Sequence, residues 1–217
     1  MKLKLLAGFL FIFCGANAQF PAFHPEIQHF KNQDSIHFPP KHAILFTGSS
    51  SFTKWVDVSD YFPGYTIINR GFGGSSLPDL IRYAGDIIIP YQPSQVVIYC
   101  GDNDLAASDA VTADTVLNRF KKLFVLIRSK LPHTSIAFVS IKPSPSRQRL
   151  MPKMRQANLA VKSYLKKQKN TAFINVYDKM LNADSTPNKD LFIADNLHMN
   201  AKGYALWQKL MAPYLVK

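Results

Sequence analysis

Ala43-Ile44-Leu45-Phe46-Thr47-Gly48-Ser49-Ser50-Ser51-Phe52 passes in ten residues from an apolar run to a glycine and three hydroxyls. A strand with one face in water alternates apolar and polar side chains. A run without alternation reads as a strand covered on both faces, the habit of parallel sheets. Four more such runs follow the first (His42–Gly48): Tyr65–Asn69, Gln95–Cys100, Ser135–Ile141 and Thr171–Val176. Helical spacing fills the gaps. Val116, Phe120, Leu123, Phe124 and Ile127 form one stripe over Ala113–Lys130, and Met154, Ala157, Val161 and Leu165 another over Pro152–Lys167. Ala201–Met211 and a shorter Leu77–Tyr83 read as helices too, and Pro25–Lys31 as a brief one ahead of the breaker Phe38-Pro39-Pro40. Strand–helix alternation of this kind predicts an α/β fold, a three-layer α/β/α sandwich with a five-stranded parallel sheet and right-handed crossovers.

Outward from that core, the N-terminus carries a different pattern. Lys2 and Lys4 precede an apolar run, Leu5–Cys14, which ends in Ala16-Asn17-Ala18. This reads as a cleavable export signal, residues 1–18, leaving Gln19 first and one domain over 19–217. The run falls short of the ~20 residues that span a bilayer, so no stable membrane insertion is expected. Phe11-Ile12-Phe13 is too bulky ahead of Cys14 for a lipoprotein signal. The expected location is periplasmic or secreted. Sixteen Phe, nine Tyr and two Trp in 217 residues supply the apolar surface that a disordered chain lacks.

Without the signal Cys100 stands alone, so no internal disulfide is expected, and its place at the end of an apolar run reads as burial. No Cys/His cluster has the spacing of metal ligands, so no metal is expected. The formal charge of +12 falls to +10 with the loss of Lys2 and Lys4. Basic residues are dispersed apart from Lys162, Lys166, Lys167 and Lys169, which read as a solvated helix face. No nucleic-acid-reading motif accompanies them.

Ligands of parallel α/β folds gather beyond the carboxyl ends of the strands. After the first strand stands Gly48-Ser49-Ser50-Ser51; after the second, Gly71-Phe72-Gly73-Gly74-Ser75; after the third, Gly101-Asp102-Asn103-Asp104; and before the last helix, Asp195-Asn196-Leu197-His198. Taken singly, each reads as a turn or a helix cap. Together they offer a hydroxyl nucleophile, backbone donors, a side-chain amide donor and a carboxylate–imidazole pair. Phe52 stands where the Gly-x-Ser-x-Gly elbow needs glycine, and the glycine-rich loop lacks the Walker lysine.

In this order the segments resemble the blocks of the SGNH (GDSL-type) hydrolases, in the branch of platelet-activating-factor acetylhydrolase-like esterases. Gly48-Ser49-Ser50 matches the family's Gly-Asp-Ser with Ser49 in place of Asp. Gly101, Asn103 and Asp104 match Gly-x-Asn-Asp, and Asp195 and His198 match Asp-x-x-His. The resemblance runs from about Ala43 to the C-terminus and implies a flavodoxin-like sandwich. It also implies Ser50 as nucleophile, His198 as base, Asp195 as its partner, and an oxyanion hole of Ser50 N–H, Gly74 N–H and the Asn103 side chain. Ser51, Gly71 and Gly73 stay open as alternates.

No cofactor is implied. The expected reaction is hydrolysis of a carboxylic ester, acetyl or short acyl, on a small molecule or a glycan. A lysophospholipase or thioesterase is the alternative, and a non-catalytic glycan-binding protein another. Arg70 and Trp55 are candidates to border the substrate, beside their readings as a surface ion pair and a packing residue; the loop Lys142-Pro143-Ser144-Pro145-Ser146-Arg147 is a further candidate border.

Overall fold

The computed structural model describes residues 22–217, so the expected signal at 1–18, with Cys14, lies outside the described residues. The apolar runs form β1 (Ile44–Gly48), β2 (Ile67–Gly71), β3 (Gln95–Tyr99), β4 (Ser135–Val139) and β5 (Thr171–Ile174). All neighbours pair in parallel, in the order β2-β1-β3-β4-β5. The strand order reverses between β1 and β3, which opens a crevice at their carboxyl ends. Register puts Gly48 level with Gly71 and Tyr99, so the loops after the first three strands leave the sheet at one height.

The chain orders α1 (His24–Ile36), α2 (Ser50–Thr53), α3 (Val58–Tyr61), α4 (Leu77–Ile87), α5 (Asp102–Ala107), α6 (Ala113–Lys130), α7 (Met151–Leu165) and α8 (Ala201–Met211) around the sheet. Strand side chains alternate between faces. Leu45, Ile68, Val96, Ile98, Ile136 and Phe138 pack with Ile27, Leu80, Phe120 and Met154 of α1, α4, α6 and α7. Ile44, Phe46, Val97, Tyr99, Ala137 and Val139 pack on the other face with Phe52, Val58, Trp207 and Met211. These two cores are the outer interfaces of the expected sandwich.

α6 and α8 have the expected bounds, whereas α1 and α4 run further. In α1 only Ile27 is buried, so no apolar stripe marks its length. Its last turn is held instead by polar contacts of Asp34 with Arg70 and Tyr91. β1 ends where expected and β2 lies two residues further on, whereas β4 and β5 end two residues early, where Ser140 Oγ accepts from the N–H groups of Val176 and Tyr177 and turns the chain out of the ladder. At the far edge, Thr171 and Phe173 of β5 stand beside Lys162 and Lys166.

Candidate active site

Three serines leave β1 together, and burial separates them. Ser49 and Ser51 are 0% and 1% exposed. Ser50, at the first position of α2, is half-buried, with its Oγ 3.0 Å from His198 Nε2. A close approach of strands forces this turn. A Cβ on Gly48, whose φ is 142°, would lie 1.9 Å from the Tyr99 carbonyl oxygen. The same geometry lets Ser49 N–H donate to that oxygen at 3.0 Å. The Gly48 carbonyl accepts from Phe72 N–H and Ser75 Oγ, so the second loop hangs from the first.

On the opposite side Asp195 and His198 share one turn before α8. Asp195 Oδ2 lies 2.6 Å from His198 Nδ1, and Oδ1 accepts from the N–H groups of Leu197 and His198 at 2.9 Å each. With Nδ1–H on the carboxylate, Nε2 is left to accept from Ser50 Oγ. Burial works against the Asp195 charge, but the bonds from the His198 ring and these N–H groups outweigh it, holding the carboxyl well below the usual carboxylate range.

The donors lie between these halves. Ser50, Gly73 and Gly74 have N–H groups without a protein acceptor among the described residues. Gly73 is nearest the nucleophile, since a Cβ there would come 3.9 Å from Ser50 Cβ. Gly74, at φ 84°, sits in the left-handed region that glycine adopts freely. Asn103, from α5, donates through Nδ2 to the Ser75 carbonyl at 2.9 Å and keeps a second N–H. Neighbouring Asp104 is fully buried, accepting from Leu77 N–H at 3.0 Å and Arg119 Nη1 at 2.7 Å.

Trp55 does not border the site. It is 0% exposed, stacked on Tyr204 at 4.8 Å and edge-on to Phe46 and Trp207. Its bulk props α2 against the sheet. Arg70 is corrected as well: its side chain, on the β2 residue before Gly71, turns back under α1. There it bonds Asp34 Oδ1 at 2.5 Å and Tyr91 Oη at 2.7 Å, with its guanidinium over the Phe30 ring. Burial, reinforced by Asp34, pushes the Tyr91 hydroxyl up to about 12.

Two further features lie beside the site, the first in the loop 142–147 that the sequence offered as a candidate border. Arg147 and Lys142, in the connector after β4, converge on Asp102 beside Asn103. A cavity of about 510 Å³ opens next to Gly73, walled by Pro25, Phe30, Val56 and Phe72, with Glu26 and His29 at α1. Much of that wall comes from α1, whose sequence carried no motif. Among the described residues no three His, Cys, Asp or Glu side chains group as metal ligands. No helix among them is long and apolar enough to cross a membrane.

A parallel α/β sandwich with a hydroxyl, an imidazole and a carboxylate in series at its switch point has the geometry of a serine hydrolase. The chain belongs to the GDSL-like lipase/acylhydrolase family, whose model matches residues 39–206, and it is an ester hydrolase. Solved structures agree in fold. A protein named for platelet activating factor from Streptococcus pneumonia is 21% identical, with a TM-score of 0.77 over 88% of this chain and 92% of that one. A GDSL-like lipase from Bacteroides thetaiotaomicron is 21% identical, TM-score 0.74, over 87% and 96%. An acetylxylan esterase from Geobacillus stearothermophilus is 15% identical, TM-score 0.64, over 81% and 94%. The sequence has no match among curated proteins.

Proposed function

We propose that the protein hydrolyses acetyl or other short acyl esters, with a carbohydrate as the alcohol, through an acyl-enzyme on Ser50. The observation that carries this is the unbroken relay Ser50 Oγ–His198 Nε2, 3.0 Å, and His198 Nδ1–Asp195 Oδ2, 2.6 Å. Ser50 Oγ attacks the ester carbonyl as His198 takes its proton. Asp195 stabilises the imidazolium. The oxyanion receives N–H groups of Ser50, Gly74 or its neighbour Gly73, and Asn103. The tetrahedral intermediate expels the alcohol, protonated by His198, and water then clears the acyl group with the same base. The likeness to an acetylxylan esterase supports the carbohydrate ester.

The apolar cavity beside Gly73 favours a second reading, hydrolysis of a longer acyl ester such as a lysophospholipid or a thioester. Lys2, Lys4 and the apolar run behind them support export to the periplasm or beyond.

The test is hydrolysis of p-nitrophenyl acetate and octanoate by the chain from Gln19, beside Ser50→Ala. Turnover is expected to fall ~10³-fold or more in the variant. Acetate is expected to be preferred, and acetylated xylo-oligosaccharides to be cleaved. Preference for octanoate establishes the longer acyl group. Equal rates in both proteins remove Ser50 as nucleophile, and binding of glycan without turnover establishes a non-catalytic glycan-binding protein.

A further inference from the structure

Asn103 is held from two sides. Its Nδ2 donates to the Ser75 carbonyl at 2.9 Å, and its Oδ1 accepts from Arg147 Nη2 at 2.8 Å. One hydrogen bond gives the carboxamide a pivot; two at opposite ends fix its plane and decide which end carries the NH₂. The Arg147 bond is charge-assisted, and drawing electron density toward Oδ1 makes the remaining Nδ2–H a stronger donor.

The guanidinium is itself fixed. Arg147 Nη1 lies 3.1 Å from Asp102 Oδ2, an ion pair without hydrogen-bond alignment. The same oxygen receives Tyr99 Oη–H at 3.1 Å and faces Lys142 Nζ at 3.6 Å. Asp102 Oδ1 accepts the N–H of Asn103 at 2.9 Å. Lys142 and Asp102 are 1% and 4% exposed. One carboxylate therefore faces two basic side chains directly behind the amide. Burial pulls the Lys142 ammonium down from the ordinary lysine value, with Asp102 opposing. One residue earlier, Ser146 N–H donates to the Asn196 carbonyl at 3.0 Å, inside the Asp195–His198 turn. The connector after β4 thus touches both halves of the site through consecutive residues.

We propose that Arg147 is a positioning residue of the oxyanion hole: through Asn103 Oδ1 it sets the carboxamide so that Ser75 holds one Nδ2–H and the other meets the substrate oxygen. The inference rests on the esterase reading above. It assigns Arg147 an effect on kcat through Asn103 and none of its own on the substrate.

The test is a double-mutant cycle on p-nitrophenyl acetate with Arg147→Met, Asn103→Ala and the pair, with Arg147→Lys as the conservative variant. Loss of an oxyanion donor costs ~10²–10³-fold in kcat. Arg147→Met is expected to lose ~10-fold or more of kcat with KM little changed. Arg147→Lys falls between it and wild type, and the double variant is no slower than Asn103→Ala. Multiplying losses, or a raised KM at unchanged kcat, overturn the proposal.

A second readout needs no turnover. The nitrogen-15 side-chain amide signal of Asn103, identified by its loss in Asn103→Ala, is expected to shift and to exchange faster with water in both Arg147 variants. Arg147→Lys keeps a charge beside Asp102 and serves should Arg147→Met unfold. An unmoved signal overturns the proposal whatever the kinetics. If wild type and Ser50→Ala hydrolyse ester alike, the esterase reading fails, and the amide signal alone decides whether Arg147 orients Asn103.

Discussion

At Asp195 the structure makes a statement about pH. Its carboxylate takes bonds from His198 Nδ1 and two backbone N–H groups, which lower its pKa in the folded chain. A group depressed on folding contributes stability that is fully present above its unfolded value, ~3.9, and is lost as pH falls through the folded value. Asp195→Asn removes that contribution. Between pH ~6 and pH ~3 the Tm of wild type is expected to fall more than that of the variant, by a small margin since the side chain is 43% exposed. Equal slopes by calorimetry would mean that the Asp195 carboxyl is no more acidic in the folded chain than in the unfolded one. At this scale the sequence was legible where spacing matters. Asp195 and His198 meet because three residues span one turn, and Ser50 is chosen from its neighbours by the turn that buries Ser49 and Ser51. For Arg70 and Trp55 the sequence offered both a border to the substrate and a structural role, an ion pair and a packing residue, and could not choose between them. Their partners Asp34, Tyr91, Tyr204 and Trp207 lie far along the chain, and only folding brings them near.

Among elements, β1 and α4 contain glycines of opposite character. Gly48 ends β1 where a side chain would strike the Tyr99 carbonyl, at a φ that other residues rarely adopt. Gly85 lies within α4, and a Cβ there would meet nothing within 4 Å. Gly48→Ala is expected to lower stability by ~3 kcal/mol or more, while Gly85→Ala raises it by ~0.4–1 kcal/mol by restricting the unfolded chain. Urea midpoints of the two variants measure both. Helices with a broad apolar stripe, α6 and α7, were readable from spacing within two residues. α1 was not, since a helix that buries Ile27 and is held by Asp34 leaves almost no period to read. The cavity wall it contributes was invisible for the same reason.

For the whole molecule, one sheet divides two cores, and each strand supplies side chains to both. Neither face has a sheet to pack on without the other, so the halves are expected to unfold together. Phe120→Ala in one core and Trp207→Ala in the other should each cost ~3–5 kcal/mol. Each should shift a single urea transition without splitting it. Far-UV circular dichroism and fluorescence midpoints that separate in either variant would show two independent units. The α/β class was legible here from the unalternating strands. The placement of each helix on one face was not, because it depends on the crossover between strands that are not adjacent in sequence.

The far border of that sheet also bears on how copies of the protein behave in company. β5 is four residues long and half-buried over Thr171, Ala172 and Phe173, and it leaves one side of its backbone unpaired within the sheet. An unpaired strand is a template for a neighbour, and natural sheets blunt it with brevity and with lysine. Lys162 and Lys166 stand beside Thr171 and Phe173, so a second copy adding its own β5 would crowd like charges against each other. The basic helix face that marks no partner in the sequence is therefore expected to oppose such pairing, which sedimentation of wild type beside Lys162→Ala/Lys166→Ala would check. That opposition is expected to weaken as salt screens the charges and to be lost on acetylation of those amines.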